Sequence, residues 1–231
     1  MIPSLTELTS TFERDGAIVL PGFFSVDELR AVNAQLDAYA QQPAMSRTSV
    51  FQEKTYTDTQ TWHPVEDGVA SLTELMNHPR LLDVTEAILG AGYQPQGSLV
   101  MLTRQGKAQA WHQDTASSNP SEFIVNRLIY PRDTSRAAGG LVFVPGSHRM
   151  GEIPRGGPQD PIPGERLIEP RAGTLALVHS RCFHRVTPNQ TTDPRFSINF
   201  RVRPANAPDD LTRVGVYRTA KWDFKKAEQV S

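Results

Sequence analysis

From Gly97 onward the chain cannot form long helices. Most of its eighteen prolines fall after Gly92, and proline removes a backbone donor and breaks a helix interior. Between the prolines lie short β-prone runs: Ser98–Thr103, Ala110–Thr115, Phe123–Tyr130, Gly140–Val144, Thr174–Val178, Cys182–Thr187 and Phe196–Val202. Turn signals separate them, and the Gly/Pro-rich stretch from Met150 to Glu165 reads as a loop. Many short strands with frequent turns point to a sandwich or barrel.

The first ninety residues read differently. Leu5–Arg14 suits a short helix, and Gly16–Leu20 is a strand closed by Pro21-Gly22. Ser25-x-x-Glu28 is a capping box, and Leu29, Val32, Leu36 and Ala40 then repeat at helical spacing. Ser71–Met76 and Arg80–Leu89 are further helices, the last framed by Pro79 and Gly90. Residues Gln41 to Gly68 have no period and hold Tyr56, Trp62 and His63. A long irregular segment of this kind is either a lid over a site or a surface excursion. The expected organisation is one domain over 1–231: a helical part to about residue 96, a β core over about 97–204, and a C-terminal extension from 205.

Composition narrows the function classes. The formal net charge is -1 and charged residues make up 21% of the chain, so no basic field attracts nucleic acid or a membrane surface. Cys182 is the single cysteine, which forbids an intramolecular disulfide and fits a reducing cytoplasm. No run approaches the roughly 18 apolar residues of a membrane span. The expected partner is a small molecule, and the expected oligomeric state is monomer or homodimer.

Trp111-His112-Gln113-Asp114 carries the first chemical signal. In a strand, positions i and i+2 leave the same face, so His112 and Asp114 aim at one point. With a second histidine they would form the two-His-one-carboxylate set that holds Fe(II) and leaves positions open. His184 and His179 are both candidates. An isolated His-x-Asp pair is also common as plain surface polarity. The second signal is Arg195-Phe196-Ser197-Ile198-Asn199-Phe200. Period two puts Arg195, Ser197 and Asn199 on one face and the apolar residues on the other. From the period alone, the polar row on solvent and the apolar row on the core is the simpler reading. The alternative is that the row faces inward, where it needs a charged ligand; a metal-chelating dicarboxylate such as 2-oxoglutarate would meet it.

Taken together, WHQD, GGLVFVPGSHR, HSRCFHRVTPN and the following R-x-S resemble the phytanoyl-CoA dioxygenase family of Fe(II)/2-oxoglutarate oxygenases. The opening FERDGAIVLPGFFSVDELRAV resembles that family's usual start. The resemblance implies a mainly β fold with flanking α-helices around a double-stranded β-helix, a jelly-roll or cupin-like core. It implies iron ligation by His112, Asp114 and His184, leaving His179 an ordinary strand histidine. It places Arg195 on the distal carboxylate of 2-oxoglutarate, with Ser197 and Tyr130 beside the cosubstrate. The implied cofactors are Fe(II), 2-oxoglutarate and O2. The implied reaction oxidises a polar small molecule, such as a natural-product intermediate, by hydroxylation, ring closure or desaturation. Asp114 implies oxygenation rather than halogenation, since halogenating members of the wider superfamily have a small residue there. Val186 replaces the family's usual small hydroxyl residue, and Arg104 its usual lysine. The competing reading is a non-catalytic or 2-oxoglutarate-independent cupin that binds a metal or a small acid. The pocket rim is expected from residues 41–68, 150–165 and the C-terminal stretch, with Trp111 packed beside the metal and Cys182 a small buried hydrophobe.

Overall fold

The structure is a computed structural model and describes residues 3–41, 60–219 and 221–223. Its N-terminal part comprises helix α1 (Leu5–Asp15), strand β1 (Ala17–Leu20), α2 (Arg30–Gln41), β2 (Gln60–Trp62), α3 (Ala70–Met76) and α4 (Pro79–Leu89). Strands β3 (Gln94–Thr103), β4 (Gln109–Gln113), β5 (Val125–Tyr130), β6 (Leu141–Phe143) and β7 (Arg166–Ile168) follow. The remainder is β8 (Thr174–His179), β9 (His184–Val186), β10 (Arg195–Arg203), β11 (Val214–Tyr217) and β12 (Lys221–Asp223).

Local chemistry sets the helix ends. Ser4 and Glu7 exchange hydrogen bonds as a capping box ahead of α1. Ser25 and Glu28 do the same ahead of α2, with Ser25 N donating to Glu28 at 2.7 Å and Glu28 N to Ser25 Oγ at 3.2 Å. Gly16 ends α1 at φ +70, and a Cβ there would sit 2.4 Å from His148 Nδ1. Only glycine satisfies both the backbone angle and that space.

Among the described residues the strands form two six-stranded sheets. One runs β1-β8-β5-β10-β3-β2, the other β12-β11-β4-β9-β6-β7, and every pairing is antiparallel. They face each other as a jelly-roll, the mainly β architecture expected from the sequence. The helices cover the outer face of the first sheet through Leu8, Phe12, Leu29, Leu36, Leu72 and Leu81. Leu128, Tyr130, Leu141 and Phe143 pack between the sheets.

β10 lies inside the first sheet, paired with β3 and β5. Phe196, Ile198 and Phe200 face the helices and join that core. Arg195, Ser197 and Asn199 face the second sheet and are 6%, 3% and 2% exposed. The solvent reading of the polar row is therefore wrong: both faces of this strand are covered, because it sits in the middle layer.

Four strands appear where the sequence carried no strand signal. β2, inside the stretch without a period, adds an edge to the first sheet beside β3. β7 closes the 150–165 loop, and β11 and β12 turn part of the expected C-terminal extension into the edge of the second sheet. Each has three or four residues, too few to show a period, and their pairing is tertiary. The 150–165 loop does not rim the inter-sheet space. It covers the outer face of the second sheet, where Ile153 and Ile162 pack with Trp111.

Candidate active site

β4 and β9 are neighbours, and His112 lies directly opposite His184. Directly opposed residues bring their side chains within about 5 Å, and the two imidazole centroids are 4.0 Å apart. Asp114 follows the end of β4, its N–H held by Ser180 O at 2.8 Å. Its carboxylate lies 3.7 Å from His112 Nε2 and 3.5 Å from His184 Nε2. One ligand atom from each of the three residues falls within 4.8 Å of the others.

The imidazoles are oriented from behind. His112 Nδ1 meets Ala110 O at 2.7 Å, and His184 Nδ1 meets Cys182 O at 2.9 Å. A carbonyl only accepts, so each Nδ1 carries a proton, and each Nε2 is the atom turned toward Asp114. Burial drives the His112 pKa down to about 3, helped by the neighbouring His184. Two imidazoles and a carboxylate with gaps too long for hydrogen bonds fit a divalent first-row cation such as Fe(II).

Asp114 is itself held. Burial opposes its charge, but the neighbouring Arg201 helps hold its pKa down to about 2. Asn126 Nδ2 donates to its Oδ2 at 2.7 Å, and Arg201 Nη2 to its Oδ1 at 3.4 Å. Asn126 Oδ1 in turn accepts from Asn199 Nδ2 at 2.8 Å and from Arg201 Nε at 3.2 Å. Tyr217, opposite His112 on β11, stacks on that imidazole with centroids 5.3 Å apart. Burial raises the Tyr217 hydroxyl pKa far above its usual value.

Behind the triad the chamber continues past Leu141, Val186 and Tyr130 to Arg195. Arg195 donates to Thr103 Oγ1 at 2.8 Å and to Gly139 O at 3.3 Å. Among the described residues its Nε is buried without a partner, and it makes no ion pair with a carboxylate. A buried guanidinium left so is costly by several kcal/mol. The orphaned donor fits an anionic ligand end, as the distal carboxylate of 2-oxoglutarate would be. Tyr130 lines the same wall, its hydroxyl pushed up to about 12 by burial against the pull of Arg195. Ser197 also lines it.

The structure thus gathers all six residues singled out in the sequence: His112, Asp114, His184, Arg195, Ser197 and Tyr130. It adds Asn126, Arg201 and Tyr217. Extending the β10 alternation by one step reaches Arg201, and the same alternation in β5 sets Asn126 beside Leu128 and Tyr130. Tyr217 left no signal, because the pairing of β11 was not legible.

Other candidates lie elsewhere. His179 accepts from Arg181 N at 3.1 Å and stacks on Phe123, away from the triad. His148 packs against His179. His63 holds Ser98 O at 2.8 Å. Trp111 does not sit beside the metal ligands. As their immediate strand neighbour it points to the opposite face, where Nε1 donates to Asp160 O at 2.8 Å. Cys182 is buried among apolar side chains. Arg104 is exposed. Trp62 stacks on Tyr39 at the helical core, and Tyr56 lies outside the described residues.

A jelly-roll enclosing a His-x-Asp…His set with a buried arginine behind it defines the non-haem Fe(II)/2-oxoglutarate-dependent oxygenases, a class of oxidoreductases. The sequence makes the assignment particular. Residues 12–197 match the profile of phytanoyl-CoA dioxygenase (PhyH), and the chain belongs to that family. It is 26% identical over 229 aligned residues to the ectoine dioxygenase of Bordetella parapertussis, covering 81% of this chain and 71% of that one. Among solved structures it resembles the epimerase SnoN in complex with Fe3+, alpha ketoglutarate and nogalamycin RO. There the TM-score is 0.71 and the identity 22%, over 89% of this chain and 86% of that one. HygX from Streptomyces hygroscopicus, with nickel and 2-oxoglutarate bound, gives a TM-score of 0.70 at 16% identity over 87% of each chain. No helix among the described residues is long and apolar enough to cross a membrane.

Proposed function

We propose that this chain uses His112, Asp114 and His184 to hold Fe(II) and Arg195 to hold 2-oxoglutarate while it oxidises a polar small molecule, by hydroxylation in the simplest case. The observation that carries the reading is Arg195: a buried guanidinium with an orphaned Nε and no acid partner among the described residues. A cupin that needed no dicarboxylate would have no use for it. Iron bound at the triad supplies O2 activation coupled to the conversion of 2-oxoglutarate to succinate and CO2.

The side chains supply placement. Ala110 O and Cys182 O fix the imidazole tautomers, and Asn126 and Arg201 fix the carboxylate. Leu128, Leu141 and Val186 keep the inter-sheet space apolar around the reacting centre, which limits side reactions with water. A carboxylate at position 114 favours oxygenation over halogenation. The proposal includes one catalytic domain over the whole chain and a reducing, cytoplasmic setting, which the lone buried Cys182 suits.

The test is anaerobic purification followed by Fe(II), 2-oxoglutarate and O2, with succinate measured. Succinate from the wild type and none from His112→Ala supports the proposal. Equal succinate from both, or none from the wild type across a broad substrate panel, overturns it.

A further inference from the structure

Arg201 is the second arginine of the chamber, six residues along β10 from Arg195 and on the same face. At about 3.3 Å per strand residue, their Cα atoms stand roughly 20 Å apart. The triad meets the Arg201 end of the row, as the 3.4 Å contact with Asp114 shows. A register shift in the pairing with β3 falls immediately after Arg201, the kind of irregularity that re-aims side chains beside sites. Arg201 is only partly covered, its side chain 23% exposed.

Asp114 is the one carboxylate paired with Arg201 among the described residues, through a long contact. A cation at the triad draws on the same carboxylate. Among the described residues, the charged groups lining the chamber are Arg195, Arg201 and Asp114. A divalent cation and a doubly charged 2-oxoglutarate cancel each other, so one positive charge stays unbalanced. Arg195 meets the cosubstrate, which leaves that charge on Arg201.

A second group is unspent in the same place. Asn199 Oδ1 is buried and has no hydrogen-bond partner among the described residues. Its orientation follows from chemistry. The Asp114 carboxylate only accepts, so Asn126 must turn its Nδ2 there and its Oδ1 toward Asn199 and Arg201. Asn199 must then donate through Nδ2, which leaves its Oδ1 for a donor. Arg201 and Asn199 share Asn126 Oδ1 as acceptor, so the unbalanced charge and the open acceptor are neighbours.

Resting on the oxygenase reading, we propose that Arg201 and Asn199 form the substrate subsite, and that the substrate is a small organic acid. Its carboxylate pairs with Arg201, and an amino or hydroxyl group on it donates to Asn199 Oδ1. The chemical class is an amino acid or a hydroxy acid.

The test uses the full chain loaded with Ni(II) and 2-oxoglutarate. Wild type that fails to bind 2-oxoglutarate with the metal refutes the oxygenase reading, and this is measured before any acid is added. The probes are the common L-amino acids, their 2-hydroxy-acid counterparts and the carboxamide of each, followed by calorimetry. At least one acid is expected to bind roughly tenfold or more tightly than its carboxamide. In Arg201→Gln that preference falls to near one. Arg201→Lys, with charge but no fork, retains part of it. Asn199→Leu weakens the amino or hydroxy acid more than the matching acid lacking the donor. A panel in which no acid outcompetes its carboxamide, or a preference that survives Arg201→Gln, overturns the proposal.

Discussion

Asn126 Nδ2 and Asp114 Oδ2 are 2.7 Å apart, and this bond orients the carboxylate between the two imidazoles. Partners of this kind behind a metal ligand are worth about 10- to 100-fold in metal affinity. Asn126→Leu is expected to weaken Fe(II) or Ni(II) binding by that order in a metal titration, while the fold remains. Unchanged affinity would mean that Asp114 holds its orientation alone.

Arg195→Met separates binding from stability. The substitution removes a buried charge that lacks an acid partner, so without 2-oxoglutarate the variant should match or exceed the wild type in stability, by about 1 kcal/mol. Saturation of the wild type at about a hundred times Kd should add about 2.7 kcal/mol, and the variant should gain almost nothing. Its KM for 2-oxoglutarate should rise with iron still bound. Loss of iron instead would move Arg195 to a different role.

His184→Ala and His179→Ala form a matched pair five residues apart. The first removes an Nε2 aimed at Asp114 and should abolish stoichiometric iron and succinate. The second removes a ring stacked on Phe123 at 4.3 Å and should cost about 1 to 3 kcal/mol of stability while iron remains. Iron analysis beside thermal melts distinguishes them.

Glu28 gives an acid-side prediction. The Ser25 backbone N–H holds its carboxyl down to about 2 against burial, with Arg80 adding to the effect. The folded value is depressed below the ordinary 4.5, so the unfolded chain takes up the proton first as pH falls. The stabilisation is complete above about pH 4.5 and lost on descent to about pH 2. A partly exposed pair contributes about 1 kcal/mol or less. The melting difference between wild type and Glu28→Gln should therefore be flat at neutral pH and close across that acid window.

The parts legible in the sequence were those governed by local rules. The capping box at Ser25 involves residues three apart, and His112 and Asp114 owe their common direction to strand geometry alone. His184 and Arg195 came from the order of several motifs, since no spacing rule links them to His112. The alternation in β10 separated its two faces but could not say what covered each. That needed the knowledge that β10 is a middle-layer strand, so its polar face meets the second sheet rather than water. Trp111 was misplaced because proximity in sequence was taken for proximity in space, and adjacent strand residues point apart. The 150–165 loop went to the outer face because Trp111, Ile153 and Ile162 needed cover there. Residues 42–59, read as a lid or a surface excursion, lie outside the described residues.

The alternation of β10 has an evolutionary corollary. Odd positions from 195 to 201 line the chamber, and even positions hold the hydrophobic interior. Selection can therefore exchange the odd-numbered side chains, and with them the preferred metabolite, without disturbing what keeps the chain folded. A single-residue insertion between Arg195 and Arg201 would do the reverse, sending phenylalanines into the chamber and an arginine into the oil. Diversification along this strand must proceed by replacement, never by change of length.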